Sequence, residues 1–179
     1  MKSFNETTAY KKGAYGEMLI DRLLLKSGIM PYKPFKDASH PFDRLCASND
    51  KKKLFVVEVK TKKKRNKYND TGFNYSNYLD YKNIYDKYNI PVFIFFIDDH
   101  LGEIYGNYLH NIDIPVYDMI YKKEYPLIEK KGQKIIYFPL NLIKSFFVKK
   151  LPEIHKDILN SLSNTKYEYG GNNGTAKNV

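Results

Sequence analysis

The stretch IPVFIFFID, residues 90–98, leaves a folding chain few options. From Val92 to Ile97 every residue is apolar and either β-branched or aromatic. Such residues suit a pleated strand. A strand with no polar alternation must be covered on both faces, as in the centre of a sheet sandwiched between other elements. The flanks can supply that cover. In AYGEMLIDRLLLKSG, residues 14–28, Ile20, Leu23, Leu24 and Ser27 recur at i, i+3, i+4 and i+7, and Gly28 is a natural stop. In SNYLDYKNIYDKY, residues 76–88, Tyr78, Tyr81, Ile84 and Tyr85 form a second stripe. Both spacings predict helices.

Further strands surround the central one. FDRLCAS (42–48) alternates, SND (48–50) is turn material, and KLFVVEVK (53–60) is apolar until near its end. Together they predict an antiparallel hairpin. Pro31 and Pro34 keep the chain before it extended. EIYGNYL (103–109) predicts a strand returning beside the central one, and KIIYFPL (134–140) a final strand. Residues 62–70 read as a polar basic loop, and NLIKSFFVKKL and PEIHKDILNSL as short helices. The expected fold is α/β, a mixed central β-sheet flanked by helices. The length of 179 residues suits one domain. We place it at 1–165, with a core at about 8–110, a C-terminal extension at about 111–165, and a Gly/Asn-rich flexible tail at 166–179.

Charge narrows the partners. The net charge is +10, and a protein this basic meets polyanions such as nucleic acid. Lys, Asn, Ile, Tyr and Phe are abundant, as AT-rich coding produces, so part of the lysine excess reflects codon usage. No apolar run approaches the ~20 residues that cross a bilayer, and the first residues carry no apolar signal core. A soluble, cytoplasmic protein is expected. A single cysteine, Cys46, excludes an intrachain disulfide and a Cys-based zinc site, and its expected role is packing in a strand. The four histidines show no metal-ligand spacing, and neither a P-loop nor a Rossmann glycine signature is present.

The strand ending in VVEVK is odd. Side chains alternate along a strand, so Glu58 and Lys60 share a face with Leu54 and Val56. Burying both charges costs several kcal/mol unless they pair or bind something. A divalent metal on the carboxylate and a phosphate on the lysine would satisfy both. Acid-x-Lys recurs at Asp50/Lys52, Asp80/Lys82 and Glu129/Lys131, but in a turn, a helix and a polar loop, where charge is cheap. A simple ion pair at the strand edge is the competing explanation.

Two more acids fall near this point. With the hairpin turn at residues 48–50, Asp43 on the first strand comes alongside Glu58 on the second. Its alternatives are a surface position or a partner for Arg44. Glu17 shares a helix face with Ile20 and Leu24, and Gly13 and Gly16 beside it would permit close approach of a backbone or a phosphate. Favourable interaction with the helix dipole is the other explanation for Glu17.

Through GAYGE (Glu17), PFD (Asp43) and EVK (Glu58, Lys60), the sequence resembles the PD-(D/E)XK nuclease superfamily, over residues 10–98. Phe42 interrupts the nominal Pro-Asp pair. The resemblance implies an αβββαβ, restriction-endonuclease-like core and Mg²⁺-dependent endonucleolytic hydrolysis of DNA, with Mn²⁺ as a substitute ion. It implies that Asp43, Glu58 and the Val59 backbone carbonyl ligate the metal. Lys60 would act on water and the phosphate, and Glu17 would assist the metal directly or through water. A structure-specific, repair or mobile-element type of enzyme is expected. A restriction-type endonuclease, or a non-catalytic basic nucleic-acid-binding module on the same fold, is the alternative.

The loop after this motif carries Lys62, Lys63, Lys64, Arg65 and Lys67, expected to grip flanking phosphates. Tyr68, Phe73 and Tyr75 either stack on bases or pack in the core. The tyrosine-rich stretches at Tyr78, Tyr81 and Tyr85 and at Tyr117, Tyr121 and Tyr125 either cover the sheet or form the interface of a homodimer, which is expected because one site cuts one strand at a time.

Overall fold

The computed structural model of the chain describes residues 7–34, 40–50, 52–113, 127–128 and 132–164. Helix α1 (Thr8–Lys26) starts where the Thr7 hydroxyl accepts the Tyr10 N–H at 3.2 Å, and closes before Gly28, whose φ of +76° suits glycine. It begins six residues earlier than the apolar stripe suggests, because its first turns are polar. The strands are β1 (Met30–Tyr32), β2 (Arg44–Ala47), β3 (Leu54–Thr61) and β4 (Asp70–Asn74). Helix α2 (Tyr75–Tyr88) leads to β5 (Val92–Asp98) and β6 (Glu103–Tyr108). A short helix α3 (Leu109–Ile112), β7 (Leu127–Ile128), β8 (Lys134–Pro139), α4 (Leu140–Lys144), β9 (Phe147–Lys150) and α5 (Glu153–Asn164) complete the described residues.

The expected mixed sheet is present. Its order is β1-β2-β3-β5-β6-β9, with β3 and β5 parallel and every other neighbouring pair antiparallel. All seven residues of β5 are buried, and its six apolar ones divide between two cores. Phe93, Phe95 and Ile97 join Val57, Cys46, Leu19, Ile20, Leu24 and Leu159 beneath α1 and α5. Val92, Ile94 and Phe96 join Val56, Tyr78, Tyr81, Ile84, Phe73 and Phe138 beneath α2 and a second sheet of order β4-β8-β7. Cys46 is wholly buried, and burial raises its thiol pKa to about 11. It packs as a small apolar residue.

The structure departs from the local pattern at several points. Residues 70–74 form β4, which the sequence pattern does not show because its partner β8 lies far downstream. NLIKSFFVKKL is not one helix: it stops at Lys144, and Phe147–Lys150 pairs with β6 as an edge strand. The β-branched and aromatic content of FFV overrides its helical spacing. Described residues beyond 110 are therefore woven into both sheets. Tyr78 and Tyr81 are 7% and 1% exposed, so α2 turns them into the core and not toward a second copy. The tail at 166–179 and Tyr117, Tyr121 and Tyr125 lie outside the described residues.

Gly16 sets the distance between α1 and the sheet. A Cβ built there would come 1.9 Å from Thr61 Oγ1 and 3.2 Å from Ile97 Cδ1, whereas Gly13 has no atom within 4 Å of that point. The close approach is thus to a side chain of β3, and only at Gly16. Gly16→Ala gains up to about 1 kcal/mol in helix propensity but overpacks the contact by about 1–3 kcal/mol. Urea unfolding should show a net loss of stability, while Gly13→Ala should be neutral or stabilising.

Candidate functional site at the end of β2 and β3

Arg44 pairs with Val57 at the last register position of the hairpin, so Asp43, one residue further out, falls opposite Glu58. Opposed residues of an antiparallel pair share a face. The ladder continues through the Asp43 N–H, which donates to Val57 C=O at 3.1 Å. Beyond that the aspartate side chain takes over: Val59 N–H donates to Asp43 Oδ2 at 2.7 Å. The two carboxylates therefore lie on one side of the sheet, the side covered by α2. Lys60 lies there too, and its ammonium pairs with Glu58 Oε1.

These groups border a cleft of about 410 Å³ lined by His40, Pro41, Asp43, Glu58, Asn77, Asp80 and Tyr81. The three α2 residues were not visible as site residues in the sequence. Tyr81 sits in an apolar stripe, and Asp80 reads as ordinary helix surface. The signal that could have found them is the chain path, since an α2 that covers Glu58 must present side chains to it. Tyr81 Oη accepts from Lys60 Nζ and from Asn77 Nδ2, each at 3.3 Å. Lys60 Nζ also lies 5.6 Å from the Phe73 ring centre.

Glu17 takes a different place. Among the described residues no three of His, Cys, Asp and Glu converge in a way that could hold a metal. The Glu17 carboxylate accepts from Arg44 Nη2 at 3.1 Å and pairs with Lys33 at 3.3 Å. Arg44, 3% exposed, is the hub. It grips Asp21 through Nε at 2.7 Å and Nη2 at 2.8 Å, and donates from Nη1 to the Asp43 carbonyl at 2.6 Å. So Arg44 binds the backbone of Asp43, leaving its carboxylate to Val59 and the cleft. Glu17 still acts on Asp43 through its charge, raising that group's pKa.

The basic loop is more tightly bound than its composition suggests. Lys62 Nζ donates to Gly72 C=O at 2.6 Å. The Arg65 guanidinium pairs with Asp70, which is fully buried, and lies 3.7 Å from the Tyr137 ring centre and 4.2 Å from that of Tyr68. Lys64 is half-buried, and its N–H donates to Asp98 at 3.0 Å. Lys63 and Lys67 are exposed. Of the aromatics, Phe73 is core, Tyr75 stacks on Tyr78, and Tyr68 packs under Arg65. Asp98 accepts the N–H groups of His100 and Leu101, which makes it a turn-former.

No family model matches the sequence, and none of the curated proteins matches it. Among solved structures the fold is similar to that of Hjc, a Holliday junction resolvase from the archaeal hyperthermophile Archaeoglobus fulgidus. The two share 10% identity, with 80% of this chain and 99% of that one covered, at a TM-score of 0.48. A likeness of that degree says nothing about activity, so the chemistry must come from this chain's own side chains. No described helix is long and apolar enough to cross a membrane.

Electrostatics singles out Asp43. Burial first, and the charge of Glu58 second, raise its pKa from 3.8 to about 7, against weaker opposing pulls from the Val59 N–H and Lys60. A folded-state pKa above the unfolded value stabilises the fold fully below pH 4, and that contribution is lost as pH rises through about 7. The loss approaches about 4 kcal/mol at 1.36 kcal/mol per unit. Asp43→Asn keeps an oxygen for Val59 and removes the charge. Without divalent ions it should match the wild type at about pH 3 and exceed it by a few kcal/mol at pH 8 in denaturant titrations. Equal stabilities at pH 8 would contradict the assignment.

Proposed function

We propose that the protein is a Mg²⁺-dependent nuclease that hydrolyses phosphodiester bonds in DNA, of the structure-specific or repair type. The observation that carries this is the opposed pair Asp43 and Glu58 on one face, held in a polar cleft with Lys60 beside them. A half-buried carboxylate facing a buried one, with Glu58 raising the cost of ionising Asp43, forms a seat for a cation. The residues fit magnesium better than an all-protein cage would: Mg²⁺ keeps several waters and binds through one or two carboxylates plus substrate phosphate. Asp43, Glu58 and the Val59 carbonyl are the groups proposed to hold it, with Glu17 acting on Asp43 from behind. When bound, the ion supplies charge neutralisation at a phosphodiester oxygen and a more acidic water.

The chain's own residues do the rest. Asp43 is kept in place by the Val59 N–H on its side chain and Arg44 on its carbonyl. Lys60, half-buried beside Glu58, would donate to the phosphoryl oxygen on which charge grows and order the attacking water. The exposed Lys63 and Lys67 follow directly and are the loop's free hands for flanking phosphates. Lys62, Lys64 and Arg65 hold the loop's shape around them.

Purified protein with Mg²⁺ or Mn²⁺ should cut a member of a panel of duplex, single-stranded, flapped and four-way DNA. Lys60→Ala should lower cleavage by about a hundredfold or more while DNA affinity stays nearly intact. No cleavage of any substrate with either ion would defeat the reading. Neutralising Lys63 and Lys67 together should weaken binding and flatten log K against log salt by roughly one unit for each phosphate no longer neutralised. An unchanged slope would remove this loop from the interface.

A further inference from the structure

Tyr81 is 1% exposed, and its ring packs 5.6 Å from that of Phe73 in the core beneath α2. A phenylalanine would fill the same space. The hydroxyl is therefore the part that needs explaining. It stands at the rim of the cleft, within 3.3 Å of both Lys60 Nζ and Asn77 Nδ2. A lysine ammonium has only protons to give, so the phenol oxygen accepts from it. The Asn77 amide, oriented with its nitrogen toward Tyr81, gives a second proton. A phenol oxygen accepts two hydrogen bonds and donates one. Its two accepting positions are thus taken by Lys60 and Asn77, and the same Lys60 ammonium pairs with Glu58.

We propose that Tyr81 is a positioning residue that holds Lys60 in its working place beside Glu58, with Asn77 fixing the direction in which its hydroxyl points. This rests on the nuclease reading for the use to which the arrangement is put. Asn77 and Tyr81 are four residues apart, so they lie on one face of α2 and reach the cleft together. The lysine needs such a holder. Its flexible four-carbon stem ends in a point charge with no preferred direction. Here the charge is boxed by the Glu58 carboxylate, the Tyr81 hydroxyl and the rings of Phe73 and Tyr81, the latter centred 5.7 Å away. The rings alone leave it free to slide, because attraction to an aromatic face is broad. The hydroxyl gives it one address. It would also keep a hydrogen bond on Lys60 were Glu58 to hold a cation and its ion pair with the lysine to weaken.

The test uses the whole chain and two variants, Tyr81→Phe and Asn77→Ala. The first deletes only the hydroxyl. The second removes the orienting donor at a half-buried position without opening the core. Competitive acetylation with acetic anhydride, read by mass spectrometry on the protein alone, compares Lys60 with the exposed Lys63. The Lys60-to-Lys63 ratio should rise severalfold in Tyr81→Phe and rise less in Asn77→Ala, with melting temperatures checked on the same samples. In steady-state cleavage Tyr81→Phe should lose about tenfold in kcat, the size expected from one hydrogen bond to a charged group, with KM unchanged. A Lys60 ratio equal to wild type in Tyr81→Phe overturns the proposal, as does a KM effect with kcat intact. If the wild-type protein cuts no DNA the nuclease reading falls. The labelling ratio, which needs neither metal nor DNA, then decides this inference by itself.

Discussion

At the end of β2 a sheet hydrogen bond is handed from backbone to side chain. Asp43 gives its N–H to Val57, as any strand residue would, and then receives the Val59 N–H on its carboxylate. That exchange ends the strand pair without leaving a buried amide unpaired, which would cost about 1–3 kcal/mol. It also fixes a carboxylate directly opposite Glu58. The cleft, the raised proton affinity of Asp43 and the placing of Lys60 two residues on all follow from this register. A slip of one residue would send the whole set to the α1 side of the sheet.

The other face shows what that register is braced against. Arg44, adjacent in sequence to Asp43 and pointing the opposite way, is locked by Asp21 and Glu17 on α1. Gly16, one residue from Glu17, lets the helix settle onto Thr61 of β3. So the helix on one side of the sheet holds the backbone whose side chains work on the other.

Much of this was legible in the sequence, for definite reasons. β5 announces itself because a run without polar alternation has one kind of home. Asp43 and Glu58 could be matched because a hairpin with a recognisable turn at residues 48–50 turns register into counting. The partners of β4 and β9 were hidden because they lie far along the chain, and no local pattern encodes a partner. Tyr81 was hidden for another reason: a tyrosine spaced with Tyr78 and Ile84 reads as core, and it is core, apart from one atom. Glu17 was placed on the right face of its helix, but Arg44 and Lys33 claim its carboxylate. The basic loop was read from charge alone, which does not reveal that Asp70 and two tyrosine rings hold Arg65.

The pairing of β4 with β8 has a consequence for how the molecule comes into being. Ile136 and Phe138 of β8 complete the apolar wall around Phe73, the ring that floors Lys60. β9, later still, closes the free edge of β6. A chain leaving the ribosome exposes the acids, the lysine and α2 long before these strands exist. Contacts so distant in sequence form late, because the intervening loop must be ordered before they repay it. The cleft therefore acquires its final shape only once synthesis has passed residue 139, and the half-made protein carries the chemical groups without the wall that aligns them.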